Sequence, residues 1–356
     1  MEGYGRAEKG LTMQKVLLGK SGLEVSKIGF GSIPLQRVSD GEAEVVIQWA
    51  LDGGVNWIDT ANMYGSSEER IGRGIRGYDR ESLVIATKGM GRTVEELREQ
   101  AALSFRRMGI KYIDLYQFHC VSSEQWESML GNGTVDMILK LRDAGWIGHV
   151  GASCHEKAAA LQIVEHPEIE VLQWPFNFMV AEEGLEVLAK CKEREVGFIA
   201  MKPFGGGSLN DAGASIRFLL GYPEVATDPG FQTVEEVDEV IQLAKEGRKL
   251  TERDRSLIER MKVELGDRFC RRCGYCEPCP EGVEIVLLMN LDNIAARFGR
   301  EEMLEGKFKD VAGTLDRCTD CGECESKCPY KLAIREKMGE NYRMFEALKN
   351  SKWADG

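Results

Sequence analysis

Short apolar segments alternate with helix-length amphipathic segments from residue 15 to about residue 230, and this alternation leaves few folds open. The predicted strands lie at residues 28–30, 57–58, 84–86, 113–115, 149–151, 171–172 and 198–200, with an eighth near residues 224–226. Repeated strand–helix units favour a parallel sheet covered by helices. Eight such units predict a (β/α)8 TIM barrel. A doubly wound dinucleotide-binding sheet is less favoured, because no glycine-rich fingerprint follows the first strand.

Eight of the eleven cysteines stand in two closely spaced runs near the end of the chain. The runs are Cys270, Cys273, Cys276 and Cys279, then Cys318, Cys321, Cys324 and Cys328, and a proline follows each run. Three thiolates spaced three apart can surround one 4Fe–4S cluster, and the fourth ligates the other cluster in two-cluster ferredoxins. The pattern predicts two clusters, one on Cys270, Cys273, Cys276 and Cys328 and one on Cys318, Cys321, Cys324 and Cys279.

Structural zinc is the competing interpretation of these runs, since two all-cysteine zinc sites would also use eight thiolates. Zinc ribbons use separated pairs of cysteines, whereas each run here is unbroken and ends before a proline. This favours iron–sulfur clusters. In the first run two residues, rather than the usual three, precede Cys279, so this ligand departs from the ferredoxin spacing. The segment between the runs is predicted to be helical, which resembles the helical ferredoxin domains of respiratory and disulfide reductases.

Composition and charge limit the partners and the cellular location that this chain is expected to have. With 43% hydrophobic residues, it can form a sizeable core, and no apolar run approaches the ~18 residues of a membrane-spanning helix. A net charge of −12 disfavours nucleic acid and anionic membrane surfaces as partners. No signal-peptide pattern is found, and a long chain with clustered cysteines differs from a secreted disulfide scaffold, so we predict a cytoplasmic location.

These patterns together predict five consecutive segments along the chain. They are an N-terminal tail (1–14), the barrel (15–245), a helical connector (246–268), a two-cluster domain (269–335) and a C-terminal helix or tail (336–356). The predicted fold class is therefore an α/β TIM barrel followed by a mainly helical, ferredoxin-like iron–sulfur domain.

Four polar residues stand at or just after the ends of predicted strands: Asp59, Tyr64, Lys88 and His119. The C-terminal ends of all barrel strands open on one face, so these residues can converge although they are distant in sequence. A nearby ammonium lowers the pKa of a tyrosine, and a carboxylate would orient that ammonium. A histidine beside the phenol can place a carbonyl oxygen. Each residue also has a simpler explanation alone, such as a helix cap for Asp59 or a surface charge for Lys88.

Three segments resemble the aldo-keto reductase family: residues 54–68 (GVNWIDTANMYGSSE), 113–119 (IDLYQFH) and 148–153 (GHVGAS). The resemblance runs from about residue 17 to 244, and the order Asp, Tyr, Lys, His equals the family's catalytic tetrad. A subgroup with a C-terminal ferredoxin-like extension is similar from end to end. The resemblance implies NAD(P)H-dependent carbonyl reduction. It makes Tyr64 the general acid, tuned by Lys88 and Asp59, and gives His119 the task of orienting the substrate.

The resemblance also implies residues that bind the nicotinamide cofactor. Ser153 and Gln173 match the positions that hold the carboxamide, and Phe176 matches the aromatic residue that stacks on the nicotinamide ring. Residues 201–207 resemble the loop over the pyrophosphate, in which Lys202 and Gly205 are the candidate contacts.

The choice between NAD and NADP follows from the same comparison. Glu239 keeps an acid that faces the adenine, and Glu236 stands where NADP-using members place an arginine for the 2′-phosphate. Because a carboxylate would repel that phosphate, the sequence predicts NAD(H) over NADP(H), or weak nicotinamide binding altogether.

The leading hypothesis is an oxidoreductase that interconverts a small aldehyde or ketone and its alcohol. Its clusters would exchange electrons with a ferredoxin-like partner. Hydride transfer moves two electrons together whereas a 4Fe–4S cluster moves one, so a bridging flavin stays open as an additional cofactor. One alternative is a non-catalytic electron carrier or redox-sensing subunit with a docking barrel. Another is a reductase whose clusters are only structural.

Overall fold

The computed structural model describes residues 12–350, apart from residues 273, 275, 307 and 329, and the chain divides into two compact units. The first unit comprises residues up to 204 together with residues 211–255. The second comprises residues 205–210 and the residues from 256 onward, so the division falls inside the helix Glu252–Leu265. The predicted tails 1–14 and 336–356 extend beyond the described residues. The predicted boundaries near 245, 268 and 335 remain predictions.

The first unit alternates strands and helices. Its strands are β1 (Lys15–Leu17), β2 (Glu24–Ser26), β3 (Phe30–Gly31), β4 (Trp57–Asp59), β5 (Val84–Gly89), β6 (Ile113–Phe118), β7 (Ile147–Ser153), β8 (Val171–Pro175), β9 (Gly197–Met201) and β10 (Val225–Thr227). Its helices are α1 (Asp40–Asp52), α2 (Ser67–Gly74), α3 (Val94–Met108), α4 (Ser123–Gly131), α5 (Thr134–Asp143), α6 (Lys157–Ile163), α7 (Ala181–Glu193), α8 (Ala212–Leu220) and α9 (Val234–Glu246), and α10 (Glu252–Leu265) begins here.

The sheet of the first unit is a closed barrel. Strands β3 to β10 pair in sequence order, and every pairing is parallel. Parallel bridges Ile28–Thr227 and Gly31–Gly230 join its first and last strands. The predicted (β/α)8 barrel is confirmed. The sequence analysis missed the antiparallel hairpin of β1 and β2 that precedes it.

Capping residues fix where several of the outer helices begin. Thr93 and Glu96 form a capping box at the start of α3, and Thr233 and Glu236 form another at the start of α9. Such caps satisfy backbone N–H groups that have no partner within the helix. They place the loops between strand ends and helices, which surround the C-terminal mouth of the barrel.

The barrel interior is filled in layers, because alternate side chains of each strand point inward. One buried apolar layer contains Trp57, Ala86, Leu115, Val171, Ile199 and Ala226. Two residues further along the same strands, the inward positions are Asp59, Lys88, Gln117, Gln173, Met201 and Asp228. A mostly polar layer therefore lies at the C-terminal ends of the strands, where TIM barrels carry their active sites.

Close packing at the base of this layer requires a glycine, Gly29, directly before the first barrel strand β3. A Cβ at Gly29 would lie 2.1 Å from the indole of Trp57, whose Nε1 donates to the backbone oxygen of Ser26 at 2.8 Å. The indole is thus fixed beneath the polar layer and keeps it from water on that side.

The second unit is mainly helical, as predicted. Its helices after α10 are α11 (Ile285–Leu288), α12 (Leu291–Leu304), α13 (Glu323–Lys327) and α14 (Ile334–Asn350). Helix α14 packs against the other three, and its Asn341 donates to the backbone oxygen of Leu288 at 2.7 Å inside the core. Across the residues described here, none of the helices has both the length and the apolar character needed to span a membrane.

Candidate active site and candidate metal centre

The centre of the polar layer is a buried ion pair between Lys88 and Asp59. Nζ of Lys88 contacts Oδ2 of Asp59 and donates to the backbone oxygen of Thr60 at 2.8 Å. Both side chains are almost wholly buried. Burial lowers the pKa of Lys88, but the Asp59 carboxylate, Tyr64 and Asp228 together outweigh this and hold that pKa above its ordinary value. Lys88 is therefore a fixed positive charge at neutral pH.

Tyr64 lies beside this pair, on the loop after β4. Nζ of Lys88 lies 5.4 Å from the centroid of the Tyr64 ring. Burial raises the pKa of Tyr64 to about 12, while the Lys88 ammonium opposes that rise. Lys88 thus acts in the predicted direction, but burial outweighs it. Tyr64 consequently keeps its proton at neutral pH, as a proton donor must.

His119 follows β6 and faces Tyr64. The two rings meet nearly edge-on, with their centroids 5.6 Å apart. Nη2 of Arg92 donates to the backbone oxygen of His119 at 2.7 Å and fixes the loop that carries it. Burial, followed by the charges of Lys88 and Arg92, lowers the pKa of His119 to about 3. The structure therefore brings together Asp59, Tyr64, Lys88 and His119, with a neutral imidazole.

A flat pH profile follows from these two shifts. His119 gains a proton only below about pH 3 and Tyr64 loses one only above about pH 12, so neither changes charge between pH 5 and 8. We expect kcat/KM of a reaction that depends on Tyr64 and His119 to vary less than about threefold across that range. An inflection near the ordinary histidine pKa of 6.5, lost on His119→Gln, would contradict the buried, neutral imidazole.

Two further residues complete the polar layer, and sequence reasoning missed both. Nε2 of Gln117 donates to Oδ1 of Asp59 at 3.2 Å. Asp228, just after β10, accepts from Nε2 of Gln173 at 2.6 Å. Burial first, then the Asp59 carboxylate, raises the pKa of Asp228 well above its usual range, and Lys88 opposes them. Their positions in the sequence could have identified both residues, because each stands two places after an inward-facing apolar residue, Leu115 or Ala226.

The predicted carboxamide contacts, Ser153 and Gln173, stand on adjacent strands in register with each other. Oγ of Ser153 accepts from the backbone N–H of Cys120 at 2.9 Å, which leaves the hydroxyl proton for another acceptor. Oε1 of Gln173 is buried and has no partner among the described residues. A carboxamide carries one acceptor and two N–H donors, so a nicotinamide fits this hydroxyl and this orphaned oxygen.

Phe176 requires a correction, because its ring does not face this site. It has no exposed surface and packs against Phe198, Phe218 and Tyr222, with ring centroids 5.7, 5.6 and 5.0 Å away. A Cβ at Gly184 of α7 would lie 2.2 Å from the ring. Phe176 thus lies between the sheet and the outer helices and is not available to stack on a nicotinamide.

The predicted pyrophosphate contacts fall in different units. Lys202 follows β9 with a left-handed backbone (φ 56°), and its carbonyl accepts from Nδ2 of Asn177 at 2.9 Å. Non-glycine residues in this conformation concentrate at functional sites. Gly205 belongs to the second unit, where a Cβ would lie 2.9 Å from the ring of Phe269.

The predicted adenine-end residues lie on α9. Glu239 is exposed, and Glu236 turns back on the helix start, where its Oε2 accepts from the backbone N–H of Gln232 at 2.7 Å. Glu236 therefore has a capping role of its own and still carries a negative charge there. Gln232 is also held by Arg37, whose Nη1 donates to its Oε1 at 3.0 Å.

The described cysteines of the two runs surround two hollows of the second unit. One is lined by Cys279, Cys318, Cys321 and Cys324 together with Cys276. The other is lined by Cys270, Cys276 and Cys328. Cys279 thus lies with the second run and Cys328 with the first, and Cys276 borders both. Cys273 lies outside the described residues.

The two runs wrap their hollows with the same backbone conformation. Arg272 and Gly274 in the first run have left-handed φ values of 56° and 85°, and Asp320 and Gly322 at the matching places in the second run have 56° and 77°. Left-handed residues in such loops turn backbone N–H groups toward one side, and the concavity that results can bind anions. A cluster with thiolate ligands carries net negative charge, so the backbone as well as the donor set fits it.

The spacing of the cysteine side chains bears on the choice of metal. Within the described part of the chain, no three cysteine, histidine, aspartate or glutamate side chains converge on one point as the ligands of a single ion would. Thiolates distributed around a hollow suit a 4Fe–4S cluster, in which each iron takes its own cysteine. The described cysteines around each hollow therefore fit the donor set of a 4Fe–4S cluster.

Comparison with known proteins gives the same two parts. The model of the aldo/keto reductase family matches residues 27–255, and the model of the 4Fe-4S dicluster domain matches residues 268–332. A Glycine max protein named "Probable aldo-keto reductase 1" is 30% identical over 227 residues, which are 56% of this chain and 62% of that protein. The chain thus spans less than two thirds of that relative.

Two more relatives bear on cofactor and fold. The NADH-specific methylglyoxal reductase of Escherichia coli is 25% identical over 226 residues, covering 55% of this chain and 69% of that protein. An aldo/keto reductase of Klebsiella pneumoniae, solved with NADP and acetate, matches with a TM-score of 0.59 and 20% identity over 70% of this chain and 95% of its own. At that identity the likeness shows the fold alone.

Proposed function

Because this chain belongs to the aldo/keto reductase family, whose members are oxidoreductases, we propose that its barrel reduces a small aldehyde or ketone at Tyr64. The observation that carries the proposal is the cluster of a protonated phenol, a buried Lys88–Asp59 ion pair and a neutral imidazole at one mouth of the barrel. A reduced nicotinamide bound at Ser153 and Gln173 would supply the hydride.

The residues of the chain divide the remaining work among them. Tyr64 gives its proton to the carbonyl oxygen as negative charge develops there. Lys88, held by Asp59, stabilises the phenolate that remains, because a fixed ammonium in a buried site favours a nearby anion. The neutral His119 can donate one hydrogen bond to the carbonyl oxygen and so orient the substrate. The indole of Trp57 closes the base of the site against water.

We propose NADH rather than NADPH as the reductant. The first turn of α9 carries Glu235 and Glu236, and a 2′-phosphate near it would meet like charge. The relative named as an NADH-specific methylglyoxal reductase supports this choice, whereas the solved relative with NADP shows that the fold accommodates either cofactor.

Replacing Glu236 by Gln tests this choice with little structural change. Glutamine can form the same capping box on Thr233, so the start of α9 is expected to stay intact. Loss of one repelling charge should tighten NADPH binding by about fivefold and leave NADH binding unchanged. Titration of both cofactors by protein fluorescence measures this, with Glu246→Gln at the opposite end of α9 as the control that removes a charge far from the first turn. Wild-type protein that binds NADPH more tightly than NADH would contradict the proposal.

For the second unit we propose two 4Fe–4S clusters that exchange single electrons with a ferredoxin-like partner. The support is the dicluster family match and the two cysteine-lined hollows. Thiolate ligation requires a reducing compartment, which fits a cytoplasmic location. Any coupling of these electrons to hydride chemistry would call for a flavin. Iron, sulfide and flavin analysis of anaerobically purified protein tests this assignment; bound zinc in place of iron would overturn it.

A further inference from the structure

Asp228 closes the polar layer from the last barrel strand, and neither the family tetrad nor the predicted cofactor contacts include it. Its side chain follows β10, while Asp59 ends β4. Both carboxyl groups accept from the same nitrogen: Nε2 of Gln173 lies 2.6 Å from Oδ2 of Asp228 and 3.3 Å from Oδ2 of Asp59. Asp59 and Asp228 thus share one amide donor, Nε2 of Gln173.

This arrangement decides which end of the Gln173 amide points toward the site. An amide nitrogen donates and an amide oxygen accepts, and carboxyl oxygens repel a second acceptor. Nε2 therefore turns toward the acids, and Oε1 turns away from them. Among the described residues, Oε1 of Gln173 is buried and has no hydrogen-bond partner. It is therefore available to accept a hydrogen bond from a bound ligand.

The charges around the two acids do not balance unless one of them is neutral. Lys88 is the ammonium that faces the pair, and it is already bound to Asp59. Tyr64 also faces Asp228 and is itself a protonated acid. Two carboxylates around one buried ammonium would leave net negative charge in a largely buried site, and such pairs hold a proton instead. Burial and Asp59 both raise the pKa of Asp228 well above its ordinary range.

We propose that Asp228 is a positioning residue that, as a protonated acid, holds the amide of Gln173 so that Oε1 faces the nicotinamide carboxamide. This inference rests on the proposed nicotinamide site. Asp228 touches neither the hydride nor the carbonyl. Its effect is on binding and on the placement of the nicotinamide ring.

Two variants of Asp228 distinguish the effect of its hydrogen-bond acceptor from the effect of its charge. Asp228→Asn keeps the shape and one acceptor oxygen and matches the protonated acid, whereas Asp228→Leu is similar in size but accepts no hydrogen bond. The probes are NADH and its reduced 3-acetylpyridine analogue, in which a methyl group replaces the amide NH2. ADP-ribose, which lacks the nicotinamide, is the control for an intact fold.

Wild-type protein should bind NADH about tenfold more tightly than the acetylpyridine analogue, the usual value of one hydrogen bond in a buried site. We expect Asp228→Asn to keep this ratio and Asp228→Leu to reduce it to less than about threefold, with ADP-ribose binding unchanged. A ratio that survives in Asp228→Leu overturns the positioning role. A loss as large in Asp228→Asn as in Asp228→Leu overturns the neutral state of the acid.

A cofactor-free measurement keeps this inference separate from the proposed function. The infrared difference spectrum of wild type minus Asp228→Asn at neutral pH should show the carbonyl band of a protonated carboxylic acid. Its absence refutes the protonated acid whatever the protein binds. Failure of wild type to bind NADH refutes the nicotinamide site and the role of Asp228 in it. Binding without discrimination between NADH and the analogue refutes only the role of Asp228.

Discussion

Replacing Tyr64 by Phe should reduce kcat for carbonyl reduction by about a thousandfold, the usual contribution of a positioned general acid. The phenol is protonated and lies beside Lys88 and His119, so its loss removes the proton donor and leaves the cofactor contacts in place. NADH binding should therefore stay within about twofold of the wild-type value. Steady-state kinetics with a panel of small aldehydes and ketones and cofactor titration measure the two effects.

Tyr116 offers a matched control for this substitution. It lies on β6, is fully buried, and its hydroxyl has no partner among the described residues, but it stands one place before the inward-facing Gln117 and so points out of the barrel. Tyr116→Phe removes the same atom from the same unit and should leave turnover unchanged. If Tyr64→Phe turns over carbonyl substrates as fast as Tyr116→Phe does, the barrel is not a reductase of the proposed kind. The docking subunit would then be the better account.

The second large effect concerns the iron content of the second unit. Two 4Fe–4S clusters give about eight iron atoms per chain, so losing one cluster should halve that number. Cys321→Ser should do so, because Cys321 lines only the hollow shared with Cys279. Cys120→Ser removes an exposed cysteine of the first unit and should leave iron content unchanged. Iron and sulfide assays on anaerobically purified protein measure this.

Double variants test the exchange of the fourth ligand between the runs. Cys279 lines the hollow of the second run, so Cys279→Ser combined with Cys321→Ser should remove no more iron than Cys321→Ser alone. Cys270→Ser combined with Cys321→Ser should remove both clusters, since Cys270 lines the other hollow. Complete iron loss in the Cys279–Cys321 pair would mean that each run holds its own cluster.

The barrel was predictable because its strands carry their signal locally. Each is a short apolar run followed by a helix, and strand ends then place Asp59, Lys88 and His119 on one face. The hairpin of β1 and β2 escaped prediction because its two strands have three residues each and only one side chain of β1 is buried. Such short half-exposed strands have no periodicity to distinguish them from loop.

Two errors about the site have one physical cause. Side chains alternate between the two faces of a strand. Gln173 points inward, so Phe176, three residues later, points outward into the helical layer. The same counting places Asp228 inward, two residues after Ala226, although an acid before Pro229 resembles an ordinary turn residue. Counting from the apolar layer would have excluded Phe176 and found Asp228.

The pKa shifts and hydrogen-bond partners of the buried polar residues could not be predicted from the sequence. A lysine near a tyrosine indicates a lowered phenol pKa, but the burial of Tyr64 depends on the closed barrel and outweighs it. The free oxygen of Gln173 likewise depends on two acids brought together from β4 and from the end of β10. Such effects arise from tertiary contacts between distant segments.

The most direct test of the central claim follows the hydride itself. Wild-type protein, purified anaerobically, is incubated with NADH deuterated at the transferable C4 position and a panel of small aldehydes and ketones, and the alcohols are examined by mass spectrometry. Our account predicts an alcohol that carries one deuterium for each NADH oxidised. Deuterium in no alcohol, together with reduction of the clusters by NADH, would contradict it and leave an electron carrier.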